Sequence, residues 1–240
     1  MILTLPIWLI WPKDFQTSFS GTFPKQWNSM NSALPSVGFT RSSRALHCSP
    51  RLHSAVSAPP VDDDLDHPAW VAGDASAMVL RAYSGLRNEH PKRVVEELLG
   101  AAAFPGGEIA KAGPNALTAI IRRLEDSTRI ATVAKSARQR RFRACAATYI
   151  AWTSAAGEDR ASTEAITRCR QASRAFAAEM LAPKDALIDR APRHGFDSDD
   201  LEDIAGEFVC PYPTVMWQAH RAGIALRGVE LPFVDRMRII

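Results

Sequence analysis

The sequence predicts a mainly helical α+β domain, and three observations carry that expectation. Apolar residues recur at i, i+3 and i+4 through most of the chain between Pro68 and Gly223, and glycine and proline punctuate those stretches at their ends. One short run, Arg129 to Ala134, breaks the helical period with Ile130 and Val133 and reads as a strand.

The elements follow in order. In "PAWVAGDASAMVLRAYSG" the positions Val71, Ala75, Met78, Val79, Ala82 and Tyr83 share one helical face, expected to be the core face, and Gly85 is placed to supply a left-handed cap. "HPKRVVEELLG" opens with Pro91 at a first helical position, presents Val94, Val95, Leu98 and Leu99, and stops at Gly100. "FPGGEIAKAGPN" is a loop by its glycines and prolines. A third helix is expected from Asn115 to Glu125 on Leu117, Ile120, Ile121 and Leu124. After the strand, one long helix runs from near Ala137 to Thr153 with Phe142, Cys145, Ala146, Tyr149 and Trp152 in line. Another runs from Thr163 to Leu181 with Ile166, Cys169, Ser173, Phe176, Ala177 and Met180, and the two are expected to pack together. Three short helices complete the pattern. They are "PKDALID", then "SDDLEDIAGEF" with Ser198 as its expected N-cap and Leu201, Ile204, Ala205 and Phe208 inward, then "PTVMWQAHRAG" from Pro213 to Gly223. The last two, joined by "VCPY", have the outline of a helix-turn-helix.

Composition narrows the function classes. With 240 residues and 46% hydrophobic composition, the chain is long enough to bury its own core. The net charge of +3 is uneven, because before Ala58 the only acid is Asp14, set against Lys13, Lys25, Arg41, Arg44 and Arg51. The basic balance therefore belongs to a tail, not to a nucleic-acid-binding domain. Residues 1–60, rich in Ser and Pro, read as a disordered extension; the opening "MILTLPIWLIWPKDF" lacks the basic start and cleavage site of a secretory signal. No apolar run reaches the roughly 20 residues that span a bilayer, so no membrane association is expected. Cys48, Cys145, Cys169 and Cys210 are dispersed, which suits a reducing cytoplasm.

The order of strand, "RQRRF" helix, "RAFAAEMLAP" helix and "LEDIAGEFVCPYPTVMWQAHRAGI" resembles the catalytic domain of the ImmA/IrrE metallopeptidase family. The resemblance spans about Ala69 to Ala225 and is most specific at Phe176–Pro183 and Leu201–Ile224. It implies a helical metallopeptidase-like domain over residues 61–182 with a short strand or small sheet, and a helix-turn-helix-like segment over 183–240 packed on it. Family chemistry needs two histidines at i and i+4 on one helical face to grip zinc, a glutamate beside the first to activate water, and an acid from the next helix. Anchored on Arg141 and Phe142, the histidine positions are Ala146 and Ile150, and the glutamate position is Ala147. The acidic positions of the next helix fall at or near Arg170, Gln171 and Ala172, while Glu179 lies beyond the ligand. No donor remains to offset dehydration of a zinc ion, so no catalytic residue, no metal ligand and no cofactor is assigned. The resemblance then implies an inactive relative acting as a protein-binding or regulatory module in a bacterial mobile-element, repressor or toxin-antitoxin setting, with a protein partner of the helix-turn-helix regulator type.

Two other readings stay open at this stage. One is a zinc metallopeptidase whose ligands lie elsewhere, for instance where Cys145 and Cys169 face each other across the two long helices with Cys210 or His194 near; His47, His53, His67, His90, His194 and His220 form no i, i+4 pair, and His90 reads as a helix-start residue. The other is a nucleic-acid-binding regulator, using "KSARQRRFR" (Lys135, Arg138, Arg140, Arg141 and Arg143) for phosphates and Gln218, His220 and Arg221 for bases. The commoner explanation of that basic run is the solvated first turns of a helix.

Overall fold

A computed structural model describes residues 46–47, 66–87, 89–99, 117–123, 128–164 and 167–231. The loop expected at 104–115, the stop at Gly100, Ile166 and the rest of the N-terminal sixty residues lie outside them. The elements are β1 (Leu46–His47), α1 (Ala69–Tyr83), α2 (Pro91–Leu99), β2 (Leu117–Arg123), β3 (Thr128–Thr132), α3 (Ala137–Trp152), β4 (Asp159–Thr163), α4 (Arg168–Leu181), α5 (Lys184–Ile188), α6 (Ser198–Phe208) and α7 (Tyr212–Arg221). The architecture is mainly helical with a small antiparallel sheet ordered β1-β3-β2-β4.

Three expectations change along the sheet. The segment read as a third helix is the central strand β2, which pairs with β3 through Ile121↔Ile130 and with β4 through Ile120↔Ala161. Its spacing of Leu117, Ile120 and Ile121 suits a helix, but Thr118, Ile120 and Ile121 are β-branched where the segment meets two neighbouring strands, and cross-strand packing wins. Ala119 and Ile121 are buried while Ile120 and Arg122 face out, the period of two that a half-buried strand requires. The helix expected from Thr163 begins only at Arg168, because residues 159–163 form β4 and Thr167 supplies the N-cap, its hydroxyl accepting from the Arg170 amide at 3.1 Å. Within the segment read as an extension, Leu46 and His47 pair with Ile130 and Arg129.

The long helices otherwise start and stop where side-chain chemistry directs. Ser136 caps α3 through the Gln139 amide, and the Arg123 guanidinium donates to the Trp152 carbonyl at 3.0 Å at its far end, where cations are favoured. At α6 the N-cap is Asp197, one residue before the expected Ser198, because Asp197 and Asp200 form a reciprocal capping box. Val209 then adopts the left-handed conformation (φ 54°) and turns the chain into α7. The inward residues Leu201, Ile204, Ala205 and Phe208 are buried as expected.

Helix α4 is the centre of the domain, packed between α1 and α3, with α7 also against it. Phe176 is fully buried, its ring 5.5 Å from that of Tyr149 and 6.3 Å from that of Trp152 on α3, so the expected pairing of the two long helices holds. Helix α1 faces the opposite way from expectation. Met78, Val79 and Tyr83 of its apolar stripe are 46%, 38% and 62% exposed, while Ala69, Ala72, Gly73, Ser76, Ala77 and Leu80 are buried. The reason is close approach. A Cβ added at Gly73 would lie 2.9 Å from the Ala172 carbonyl carbon and 3.0 Å from the Ala175 Cβ, so α1 turns its smallest side chains to α4 and gains dense backbone contact.

Candidate functional site

The face of α3 on which the expected resemblance puts zinc ligands is packed. Ala146, Ala147 and Ile150 are 1%, 1% and 9% exposed. Methyl and hydrocarbon groups fill the α3–α4 seam, and a cavity of only about 10 Å³ lies nearby, lined by Cys145, Thr148, Phe176, Met180 and leucines from α1 and α2. That volume holds about one water and no substrate.

The expectation that Cys145 and Cys169 face each other fails. Cys169 is exposed on the first turn of α4, whereas Cys145 and Cys210 are both buried and lie close enough to influence each other. Burial pushes both thiols up to about 12, so they remain protonated at neutral pH and behave as small apolar groups. Among the described residues no group of three His, Cys, Asp or Glu side chains is placed to hold a metal ion. His90 does start α2: its Nδ1 accepts from the Lys92 amide, and its Nε2 lies 2.9 Å from Glu207 Oε1, at the edge of the Phe208 ring.

The basic run is not one solvated patch. Arg141 is buried, donating to the Lys92 carbonyl at 3.1 Å and lying 3.5 Å from Glu96, so it fastens α2 to α3. Arg138 pairs with Glu202 at 2.6 Å and ties α3 to α6. The side chain of Arg143 is 12% exposed; it donates to the Val133 carbonyl and pairs with Glu164 at 3.0 Å. The C-terminal trio is depleted in the same way. Gln218 is fully buried, its Nε2 donating to Glu179 Oε2 at 2.8 Å and to the Ala182 carbonyl, and Arg221 is engaged by Asp74 and stacks 4.3 Å over the Trp70 ring. Of the three residues considered for base reading, only His220 is exposed.

Two charged clusters emerge that the sequence did not reveal. The first is buried where α1, α4, α5 and α7 meet. Asp74, 5% exposed, binds Lys184 at 2.8 Å and also Arg221; Glu179, 4% exposed, accepts from Gln218 and lies 3.8 Å from Lys184. Arg81 donates to the carbonyls of Arg87 and Glu89 at 3.0 Å. Burial raises the Glu179 carboxyl to about 7; Lys184 and the Gln218 amide pull it down, and Asp74 pushes it up. Each charged member has an opposite partner, and neither carboxylate is open to a substrate, so the cluster acts as a clamp between the C-terminal helices and the body. Recognising it requires knowing that Asp74 faces inward, which the apolar stripe of α1 contradicts.

The second cluster lies at the start of α4. Arg170 and Arg174, one turn apart, share a face, and Arg143 of α3 lies within electrostatic reach of Arg170. Arg170 Nη1 lies 3.2 Å from Ser162 Oγ, and its buried Nε has no hydrogen-bond partner. Arg174 has no hydrogen bond to a described residue; Glu164 is the acid that acts on it. Burial lowers both guanidiniums from their ordinary value, and Arg170 is lowered further by the charges of Arg174 and Arg143. Arg143, Ala146 and Ile150 follow i, i+3, i+7 spacing, so this cluster stands at the N-terminal end of the α3 face discussed above.

No family model matches the chain, and neither a curated protein nor a solved structure does.

Proposed function

We propose that the chain is a non-catalytic binding or regulatory module built on a scaffold like that of the ImmA/IrrE metallopeptidases, with a protein as its partner. The observation that carries this reading is the packed α3 face. At the positions where that family needs two histidines and a glutamate, this chain has Ala146, Ile150 and Ala147, all at most 9% exposed. Hydrocarbon at those positions supplies no pair of electrons to a metal and no base for a water molecule. A groove that binds a peptide needs neither, because substrate binding and transition-state stabilisation rest on different contacts. The apolar residues that α1 leaves at the surface, Met78, Val79 and Tyr83, support the same reading, since a contiguous exposed apolar stripe is a common mark of protein contact. The α6–α7 pair, with Gln218 and Arg221 committed inward, fits a structural part better than a base-reading one.

Zinc content tests the proposal. The full chain, purified near neutral pH without chelator, is expected to carry zinc far below one equivalent and to melt at the same temperature with and without a chelator. Stoichiometric zinc whose removal lowers the melting temperature would refute it and favour a metallopeptidase with ligands in other positions.

A further inference from the structure

We propose that Arg143, Arg170 and Arg174, with the Ser162 hydroxyl, form a binding site for a phosphate group carried as a dianion, as in inorganic phosphate or a phosphomonoester. Arg170 lies within electrostatic reach of both Arg174 and Arg143, and Glu164 is the acid that acts on Arg170 and Arg174 and pairs with Arg143 at 3.0 Å. The local balance is two positive charges in excess, which a phosphate dianion neutralises and a single carboxylate does not. Unlike the clamp at Asp74 and Glu179, where each charge has a partner, this cluster is incomplete: the buried Arg170 Nε lacks an acceptor and Arg174 has no hydrogen bond to a described residue. A dehydrated cation without a counterion is costly, and like charges one helical turn apart add to the cost. A ligand whose oxygens accept from several guanidinium N–H groups relieves both, and guanidinium forks match phosphate geometry. The location helps. The cluster occupies the first two turns of α4, a 14-residue helix with no acid in its first turn, where the helix dipole favours an anion. Ser162 Oγ, buried on β4, accepts from Arg170 Nη1 at 3.2 Å and lies 2.8 Å from Thr118 Oγ1, whose hydroxyl also reaches the Ser162 carbonyl at 3.0 Å, so this hydroxyl is held at the edge of the arginine cluster. The site is independent of the chain's ancestry: it needs no zinc scaffold, and the zinc measurement does not bear on it.

The test is the thermal stability of the full chain in inorganic phosphate, in a nucleoside 5′-monophosphate and in acetate, each against chloride at equal ionic strength, with affinities from calorimetry. Phosphate and the monophosphate are expected to raise the melting temperature, and acetate is not. Equal affinity for the two identifies free phosphate as sufficient, tighter monophosphate binding identifies a phosphomonoester, and either outcome upholds the site. The informative variant is Arg174→Gln. It should weaken phosphate binding about tenfold or more through loss of one charge-assisted contact. Without ligand it should melt at or above the parent temperature, because a repulsive charge is gone. Arg93→Gln, on the exposed face of α2, should leave the phosphate response unchanged. The proposal is overturned if phosphate gives no shift beyond chloride, if acetate matches it, or if Arg174→Gln keeps the full response.

Discussion

Gly73 is where the packing of α1 on α4 can be tested most sharply, because local and tertiary effects of one methyl group have opposite signs. In a helix interior, alanine in place of glycine gains about 1 kcal/mol from reduced chain entropy and better propensity. At Gly73 the added Cβ would sit 2.9 Å from the Ala172 carbonyl carbon, nearer still to its oxygen, and 3.0 Å from the Ala175 Cβ. The nearest obstacle is main chain and cannot rotate away, so the two helices would have to separate by roughly 1 Å to restore ordinary contact. Overpacking of this kind costs about 1–3 kcal/mol, and a rigid backbone obstacle places it at the upper end. The expected net effect of Gly73→Ala is a loss of about 2 kcal/mol or more once the propensity gain is subtracted. Gly206, in the middle of α6, is the matched control: its added Cβ would meet only the end of the Arg138 side chain at 3.6 Å. Gly206→Ala should therefore gain about 0.5–1 kcal/mol. Denaturant unfolding of the full chain and both variants measures the difference. If Gly73→Ala is as stable as the parent, or both substitutions shift stability in the same direction, the close α1–α4 approach is wrong.

Truncating the ring at the centre of the α3–α4 seam by Phe176→Ala should cost about 3–5 kcal/mol, and a loss below about 1 kcal/mol would exclude the observed pairing with Tyr149 and Trp152. Glu179 gives the chain a pH dependence whose sign follows from its raised carboxyl. Between its ordinary 4.5 and about 7 the folded chain keeps a proton that the unfolded chain has released, so stability falls as pH rises through that window. Glu179→Gln, which retains an acceptor for Gln218, should flatten that slope when unfolding is followed across the range; an unchanged slope would assign it to other groups.

How much was legible can be judged from particular elements. The start of α2, the span of α3 and the inward residues of α6 follow from short-range signals such as Pro91, the helical spacing from Phe142 to Trp152 and the stripe Leu201, Ile204, Ala205 and Phe208, and those survive folding intact. The strand β2 was misread because its partners β3 and β4 are brought to it by the chain's return, and a short apolar run carries both periods until a neighbour chooses one. The candidate site was less legible. The basic run at 135–143 was visible as charge, but its division into a buried strut (Arg141), a surface tie (Arg138) and a member of an arginine cluster (Arg143) depends on which elements lie opposite. Arg170 stood in the sequence only as one of the positions where the resemblance places an acid, Arg174 gave no signal, and nothing local showed that Arg143 would lie near Arg170.

What the sequence by itself determined is part of the inventory: most of the helical segments, some of their ends, and that Ala146, Ala147 and Ile150, where the resemblance places a zinc motif, carry no donor group. Those properties depend on residue type and on neighbours within about one helical turn. Tertiary structure alone decided which face of α1 is buried, that Asp74 and Glu179 are clamped by cations from α5 and α7, and that Glu164 pairs with Arg143 and also acts on Arg170 and Arg174. Burial and electrostatic pairing act through space between groups up to 147 residues apart along the chain, as Asp74 and Arg221 are, and no local pattern encodes that distance.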